Sequence, residues 1–463
     1  MDADAPNTDG TLRSTERPEP APDRDTLARA TLTYCLDGAD ALMYAAIAGT
    51  GDAAETLRLI IESRPDAGGS TASARLDHVF ATGLARWGRR VTPQAMTAFH
   101  NALAGWHARL PSLPTLDWET LAAWFTMDGR QWIIGPTSPH WPHQLQDLST
   151  RKDWASPLCL WGIGDERALT SCPKPVAVVG SRGANEYGRS IAREVARKAA
   201  SDGHLVVSGG ALGADAAAHW GALAAMDGPS GPGTDDVPGT AGRTVAVFAG
   251  GLNHIGPSSN LRLFDAIVDH GGALVSELCP GTIPEARRFL LRNRIIAALA
   301  STVVVTQART RSGALNTANW ACDLNRELIA VPGDITMPHN AGCNLFIARN
   351  QAMLLTSPDE IAELLHEPHR PDVGSPPVRD DGPEARDRPA RDGDGDDADR
   401  RRVLTAIRSC RRRGVPSTPD MVLARLGEDG PEWSMPRLLA VLGELEMLDV
   451  IRYGDGEVRP APA

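Results

Sequence analysis

From Val176 onward the chain repeats one pattern. A short apolar run is followed by a break of small residues, then by a longer stretch in which apolar positions recur every third or fourth residue. The runs are 176–179, 205–207, 245–248, 273–275, 302–305, 328–331 and 353–355. None alternates apolar with polar. A strand with one wet face alternates, so unbroken runs predict strands covered on both faces, as in a parallel sheet between helices. The first intervening segment shows how the helices are written. Ile191, Val195 and Ala199 fall at i, i+4 and i+8 and form the inward stripe, Arg193, Arg197 and Lys198 take the outer face, and Gly203 follows the end. The rhythm predicts a doubly wound α/β domain, an extended Rossmann-like parallel sheet, from about residue 155 to 366.

Elsewhere the pattern changes. Residues 26–110 are rich in alanine and leucine with few strand signals, 26–48 and 76–110 read as helical, and a helical domain is expected over 26–137. A connector over 111–151 carries tryptophans and prolines. The Gly/Pro-rich stretch 227–243 reads as a surface loop, residues 1–25 as a disordered leader and the charged stretch 367–399 as a disordered linker. Beyond it, 400–459 hold three helical segments, the second capped by Ser417 or Thr418, and then a hairpin over IRYGDGEVRP. Three helices and a hairpin predict a winged helix.

Composition narrows the class. A chain of 463 residues has room for about two to four domains. It contains no run of about 18 apolar residues, so no membrane span is expected. The seven cysteines are scattered without a CxxC pair, which predicts neither a zinc site nor a disulfide framework and suits a reducing cytoplasm. The net charge of −11 alone argues against nucleic acid, but much of the acid lies in tails and linkers, so local basic clusters decide.

In a doubly wound sheet, ligands lie beyond the carboxyl ends of the strands. Those ends carry Gly180-Ser181-Arg182, Ser208-Gly209-Gly210 running to Asp215, Gly250 running to Asn260, Ser276-Glu277, Arg311-Ser312-Gly313 and Pro332-Gly333-Asp334. Small residues let backbone N–H groups approach a phosphate, and six such edges make a long floor of donors rather than one nucleotide pocket. The stretch Gly183–Ser190 imitates a P-loop with Arg189 in the lysine position. Without that lysine nothing reaches the β- and γ-phosphates, so it is not a nucleotide loop. Helix 287–300 carries four arginines: Arg288 and Arg292 share one face, Arg287 and Arg294 another. Alone they read as a solvated face, but beside a glycine-lined edge they favour phosphate binding.

Other candidates weigh less. Ser208, Asp215 and His219 could be imagined as a hydrolytic triad, but Ser208 lacks the GxSxG turn. His140/His143 and His366/His369 lack companion ligands for a metal. Trp132, Trp141, Trp154 and Trp161 sit near apolar runs and read as core rather than base-stacking platforms. The third helix of the C-terminal region carries Glu444 and Glu446 against Arg437. That charge suits protein contact at least as well as duplex DNA, and Arg411–Arg413 read as a solvated basic patch.

The ordered motifs VAVVGSR…YG, SGGALGADAAAHWGAL, FAGGLNHI, GGALVSE, RFLLRNRIIAAL, RSGALNTA, RELIAVPGDI and GCNLFI resemble the DNA-processing protein A family (DprA, also called Smf) over about 138–366. The N-terminal helices occupy the place of that family's sterile-alpha-motif-like domain, and the C-terminal region is similar to its winged helix. The resemblance implies a non-enzymatic protein without cofactor, metal or catalytic residues. Such a protein binds single-stranded DNA regardless of sequence, forms a homodimer through the Rossmann domain, and loads the RecA recombinase onto the strand during transformation or recombination. It implies a DNA pocket made of Gly180, Ser181, Arg182, Ser208, Gly209, Gly210, Asn260, Arg292, Asn293, Arg294, Arg311, Ser312 and Gly313. Because Arg292 and Arg294 cannot share a helix face, one is expected to touch the strand and the other to anchor the helix, with Arg294 taken for the strand. The chain departs from the family pattern at Gly256, Ser258 or Ser259, Gln307, Asn316 and Asn350. Two alternatives stand beside this. One is a phosphoribohydrolase-like enzyme, whose PGGxGTxxE signature is reduced here to Pro332-Gly333-Asp334-Ile335. The other is a scaffold of the same family serving DNA repair or phage defence.

Overall fold

The computed structural model describes residues 22–36, 38, 40–67, 70–150, 154–227, 241–365, 402–407, 409–410, 415–427, 433–447, 451–454 and 457–460. The chain divides into two compact units, one up to Gly374 and one from Ser375. The leader through residue 21, the 228–240 part of the insertion, the 367–399 linker, His366, His369 and Arg411–Arg413 lie outside the described residues.

The first unit is built on a nine-stranded sheet. Its strands are β1 (Trp132–Ile134), β2 (Leu160–Gly164), β3 (Val176–Val179), β4 (Val206–Gly209), β5 (Thr244–Val247), β6 (Ala273–Ser276), β7 (Thr302–Val305), β8 (Glu327–Ala330) and β9 (Met353–Leu354). The spatial order is β1-β2-β6-β5-β4-β3-β7-β8-β9. All seven anticipated strands are present and mutually parallel. Strands β1 and β2 were not anticipated, and they add an antiparallel edge. They are short and sit among tryptophans, so no period shows. What fixes them is packing: a Cβ on Gly162 would lie 1.9 Å from the Trp132 ring, whose Nε1 donates to the Gly164 carbonyl at 2.8 Å.

Burial on both faces explains the unbroken apolar runs. Val176, Val178, Val206 and Val304 pack with helices Glu186–Ser201 and Ala214–Asp227. Ala177, Val179, Val207 and Val303 point the other way, against helices Ala286–Leu299 and Ala314–Asp323. The chain runs outward from β3 through β4 and β5 to β6, then crosses back to β7 on the far side of β3. The strand order therefore reverses beside β3, and a crevice opens above its carboxyl end.

Among the described residues six α-helices precede the sheet: Arg24–Tyr34, Ala41–Thr50, Ala53–Glu62, Ser70–Arg86, Pro93–Arg109 and Trp118–Phe125. The single stretch 26–48 is thus two helices. Gly38 has φ 117, outside helical space, and Asp40 caps the second helix by accepting from the N–H groups of Leu42 and Met43 at 2.7 and 3.2 Å. These helices share one core with the sheet, in which Leu32, Met43, Phe80 and Phe125 join Phe248, Phe264 and Leu274. Trp132, Trp141 and Trp161 are buried, and Trp154 lies edge-on to Trp320 at 5.0 Å. Among the described residues no helix is long and apolar enough to cross a membrane.

The second unit contains helical residues 402–407 and 409–410, helices Pro419–Gly427 and Met435–Met447, and the antiparallel hairpin Ile451–Gly454 with Glu457–Pro460. Val403, Ile407, Leu438, Leu442 and Ile451 form its core. The cap of its Pro419–Gly427 helix is Thr418, whose hydroxyl accepts from Met421 N–H at 3.5 Å. Ser417 instead ties the loop to the hairpin by donating from Oγ to the Val458 carbonyl at 2.8 Å.

Candidate functional site

The crevice encloses about 460 Å³. Its floor is the loop after β3 (Gly180 to Arg182) with Ala211 and Asp215 beyond β4; helix Ala286–Leu299 forms one wall and Ser312-Gly313 another. The floor is tight because Gly213 adopts φ 79 and carries no side chain: a Cβ there would stand 2.4 Å from the Ser181 and Arg182 carbonyls. Two strand-end loops thereby touch, joined by Ala214 N–H to Ser181 O at 3.2 Å. Gln307, beyond β7, locks the back. Its Nε2 donates to the side-chain oxygens of Asn185 and Asn340 at 2.9 and 3.0 Å, and its Oε1 accepts from Asn185 N–H at 3.0 Å.

Charge is concentrated on two arginines. Arg292 is only 6% exposed, and its Nε and Nη1 find no hydrogen-bond partner among the described residues. Gly209 makes room for it: a Cβ there would lie 1.8 Å from Nη1. Asp215 lies on the other side of the same space, its Oδ2 2.5 Å from that Cβ position. The N–H groups of Ala211 and Gly180 favour its charged form. Burial pushes its pKa upward, against the pull of Arg292 and Arg182. Burial likewise pushes Arg292 downward. Arg182 is exposed, with its guanidinium 4.3 Å above the centre of the Phe289 ring. Beside the crevice an apolar pocket of about 230 Å³ opens between Phe248 and Phe289, with Leu212 and His254 on its walls, and both arginines border it. The arrangement presents an underpaired buried cation, an exposed one and small-residue loops next to an apolar pocket, which suits a phosphate followed by a ring.

Seven of the expected residues line the crevice together: Gly180, Ser181, Arg182, Arg292, Asn293, Ser312 and Gly313. Gly210 lines the apolar pocket, Gly209 houses Arg292, and Arg311 is exposed beside Ser312 but off the lining. Three residues stand elsewhere. Ser208 is fully buried and donates from Oγ to the Val178 carbonyl at 2.6 Å. Asn260 is buried too and braces the loop after β4 by donating to the carbonyls of Gly210 and Ala211 at 3.3 and 3.2 Å. Arg294 has no exposed surface and is ion-paired with Glu277. This reverses the expected division of labour: Arg294 anchors the helix and Arg292 faces the crevice.

The discounted motifs find ordinary explanations. Arg189 donates to the Ala184 carbonyl at 2.7 Å and to Glu186 at 2.8 Å, while Asn185 caps the helix through Gly188 N–H at 3.0 Å. His219, held neutral by a pKa that burial lowers to about 4, lies with Nε2 3.2 Å from the Gly209 carbonyl and Nδ1 2.7 Å from the Thr244 hydroxyl. Neither ring nitrogen bonds Ser208. Among the described residues no three His, Cys, Asp or Glu side chains group as metal ligands. Asn316 accepts from Asn293 at 3.4 Å, and Asn350 adopts φ 55 after helix Ala341–Ala348, a left-handed position that glycine or asparagine fills. Phe289 and the crevice-facing role of Asp215 were not anticipated. Phe289 carried a signal, an aromatic ring among helix arginines.

The family described as DNA recombination-mediator protein A matches residues 132–366. A Mycobacterium tuberculosis protein bearing the name DprA is 42% identical over 239 residues, covering 50% of this chain and 57% of that one. The chain thus spans little more than half the length of that curated relative. The DNA processing protein DprA of Bacillus subtilis is 34% identical over 231 residues, covering 50% of this chain and 70% of that one. The X-ray structure of DNA processing protein A from Streptococcus pneumoniae shares the fold, with a TM-score of 0.51 at 24% identity over 74% of this chain and 99% of that one. With half of its residues matched and its strand-end loops, helix arginines and sheet order in place, this chain belongs to the DNA recombination-mediator protein A family.

Proposed function

We propose that the protein binds single-stranded DNA along the strand-end crevice, performs no chemistry on it, and delivers the strand to the RecA recombinase in the cytoplasm. The observation that carries this is Arg292. A buried guanidinium with unmade hydrogen bonds is costly, and a phosphodiester supplies the charge and acceptors it lacks. Arg182 adds a second cation. The slot between Phe248 and Phe289 favours a single strand, because an unpaired base can turn out and lie against a ring whereas a duplex keeps its bases stacked inside. With a net charge of −11 over the whole chain, binding is confined to this crevice, and counterion release makes it steeply salt-dependent.

A non-enzymatic role is supported by the engagement of Ser208 and His219 with backbone and Thr244, which leaves no activated nucleophile among them. Pairing of two copies through the Rossmann domain is supported by exposed Ile335, Met337 and Leu345. They lie on a loop and helix held together by two Gly333–Asn344 hydrogen bonds of 3.0 and 2.9 Å. Delivery to RecA is supported by membership of a family described as recombination mediators. The test is fluorescence anisotropy with single- and double-stranded oligonucleotides of equal length at several salt concentrations, then RecA filament assembly with and without the protein. The expected result is a clear single-strand preference and faster assembly. Equal affinity for duplex, or turnover of the DNA, would overturn the reading.

A further inference from the structure

Resting on that single-strand reading, we propose that Asp215 is an internal competitor for the DNA phosphate, so that the crevice takes up a proton on binding and grips the strand more tightly as the pH falls. The geometry is specific. Asp215 is buried, with the N–H groups of Gly180 and Ala211 favouring its charged form. Its Oδ2 and Arg292 Nη1 both crowd the one space that Gly209 leaves open, at 2.5 and 1.8 Å from the missing Cβ. Nη1 nevertheless makes no hydrogen bond. A phosphate seated on Arg292 therefore comes to rest beside a carboxylate, and two anions must share one guanidinium. Like charges at this range push one of them toward its neutral form. The phosphodiester cannot take a proton in this range, so the carboxylate does.

The groups around Asp215 support that assignment. Arg292 faces it from helix Ala286–Leu299 and Arg182 from the loop after β3. On its own helix, His219 lies one turn on but is turned to Thr244 and the Gly209 carbonyl. Burial already raises Asp215 above the ordinary 3.8. A bound phosphate raises it further, so the complex holds more protons than the free protein. Affinity then climbs as pH falls between the bound-state and free-state values, and is flat above and below that window. His254 is the histidine on the wall of the neighbouring pocket, and the experiment separates its contribution from that of Asp215.

The experiment uses the full chain and an oligothymidylate, whose bases do not titrate from weakly acidic to neutral pH. Anisotropy gives affinity against pH, and calorimetry in buffers of different ionisation heat counts protons. The unaltered protein should show proton uptake and tighter binding in acid. Asp215→Asn keeps an acceptor for the loop N–H groups and removes the charge. It should bind about tenfold more tightly at neutral pH and lose both the slope and the uptake, while His254→Gln should keep them. Binding without pH slope, a slope that survives Asp215→Asn or vanishes in His254→Gln, or an Asp215→Asn protein that binds more weakly would overturn this proposal alone. Failure to bind at any pH would overturn the single-strand reading with it. If Asp215→Asn does not fold, calorimetry on the unaltered protein and on His254→Gln decides.

Discussion

Helix Ala286–Leu299 passes through two charged environments that lie two residues apart. Beneath it, Arg294 is fully buried and ion-paired with Glu277 at the end of β6. Above the crevice, Arg292 is almost as buried but has no ion-pair partner within 4.0 Å among the described residues. Both arginines leave Nε and Nη1 without hydrogen bonds, so unmade bonds alone do not separate them. The difference is the neutralising carboxylate in direct contact. Where a carboxylate of the fold bonds the guanidinium directly, the arginine belongs to the structure; where the nearest carboxylate, Asp215, stands off without a bond, the arginine awaits a ligand.

The comparison can be broken most sharply at its structural end. Arg294→Met leaves Glu277 buried and unpaired, and stability should drop by about 3–5 kcal/mol, read by urea denaturation; a variant as stable as the parent would erase the distinction. Next is the lock behind the crevice. Gln307→Glu removes two donated hydrogen bonds and sets a charge against the acceptor oxygens of Asn185 and Asn340. Asn340 cannot turn its amide to help, because its Nδ2 already donates to the Thr306 and Val331 carbonyls. About 2–3 kcal/mol of stability should be lost, and an unchanged melting temperature would show the network to be dispensable. A smaller effect belongs to the exposed cation. Arg182→Ala should weaken strand binding about tenfold for every sequence and reduce the salt slope by about one phosphate, with stability unaltered; unchanged affinity and slope would remove it from the site. Smallest is the buried histidine. Its pKa is lowered from 6.5 to about 4, so the unfolded chain binds its proton first as pH falls. Stability is full above about 6.5 and declines on acidification, by ~1 kcal/mol at about pH 6. Melting curves against pH should show this slope, flattened in His219→Gln.

Much of this was legible in the chain. Apolar runs without alternation announced a sheet buried on both faces, and small residues after each run located the crevice. What stayed hidden depended on packing. Strands β1 and β2 are too short to show a period, and only the Trp132–Gly162 contact fixes them. Helical spacing separates Arg292 from Arg294 but does not say which face turns inward, since that depends on Glu277, 15 or more residues away in sequence and adjacent in space. Asp215 could be seen at a strand end and as a triad member, yet its position beside Arg292 arises from the close approach at Gly209. Gln307 read as a departure from the family pattern; its three hydrogen bonds to Asn185 and Asn340 make it a requirement of this chain.

The central claim is that Arg292 is kept unpaired for a single strand's phosphate. Its most direct test is Arg292→Met, measured for oligothymidylate affinity and melting temperature side by side with the unaltered protein. The account predicts a loss of affinity of about a hundredfold with a melting temperature equal to or above that of the parent, because an underpaired buried cation has been replaced by an apolar chain of similar length. A variant that keeps its affinity, or that loses stability as Arg294→Met does, would contradict it.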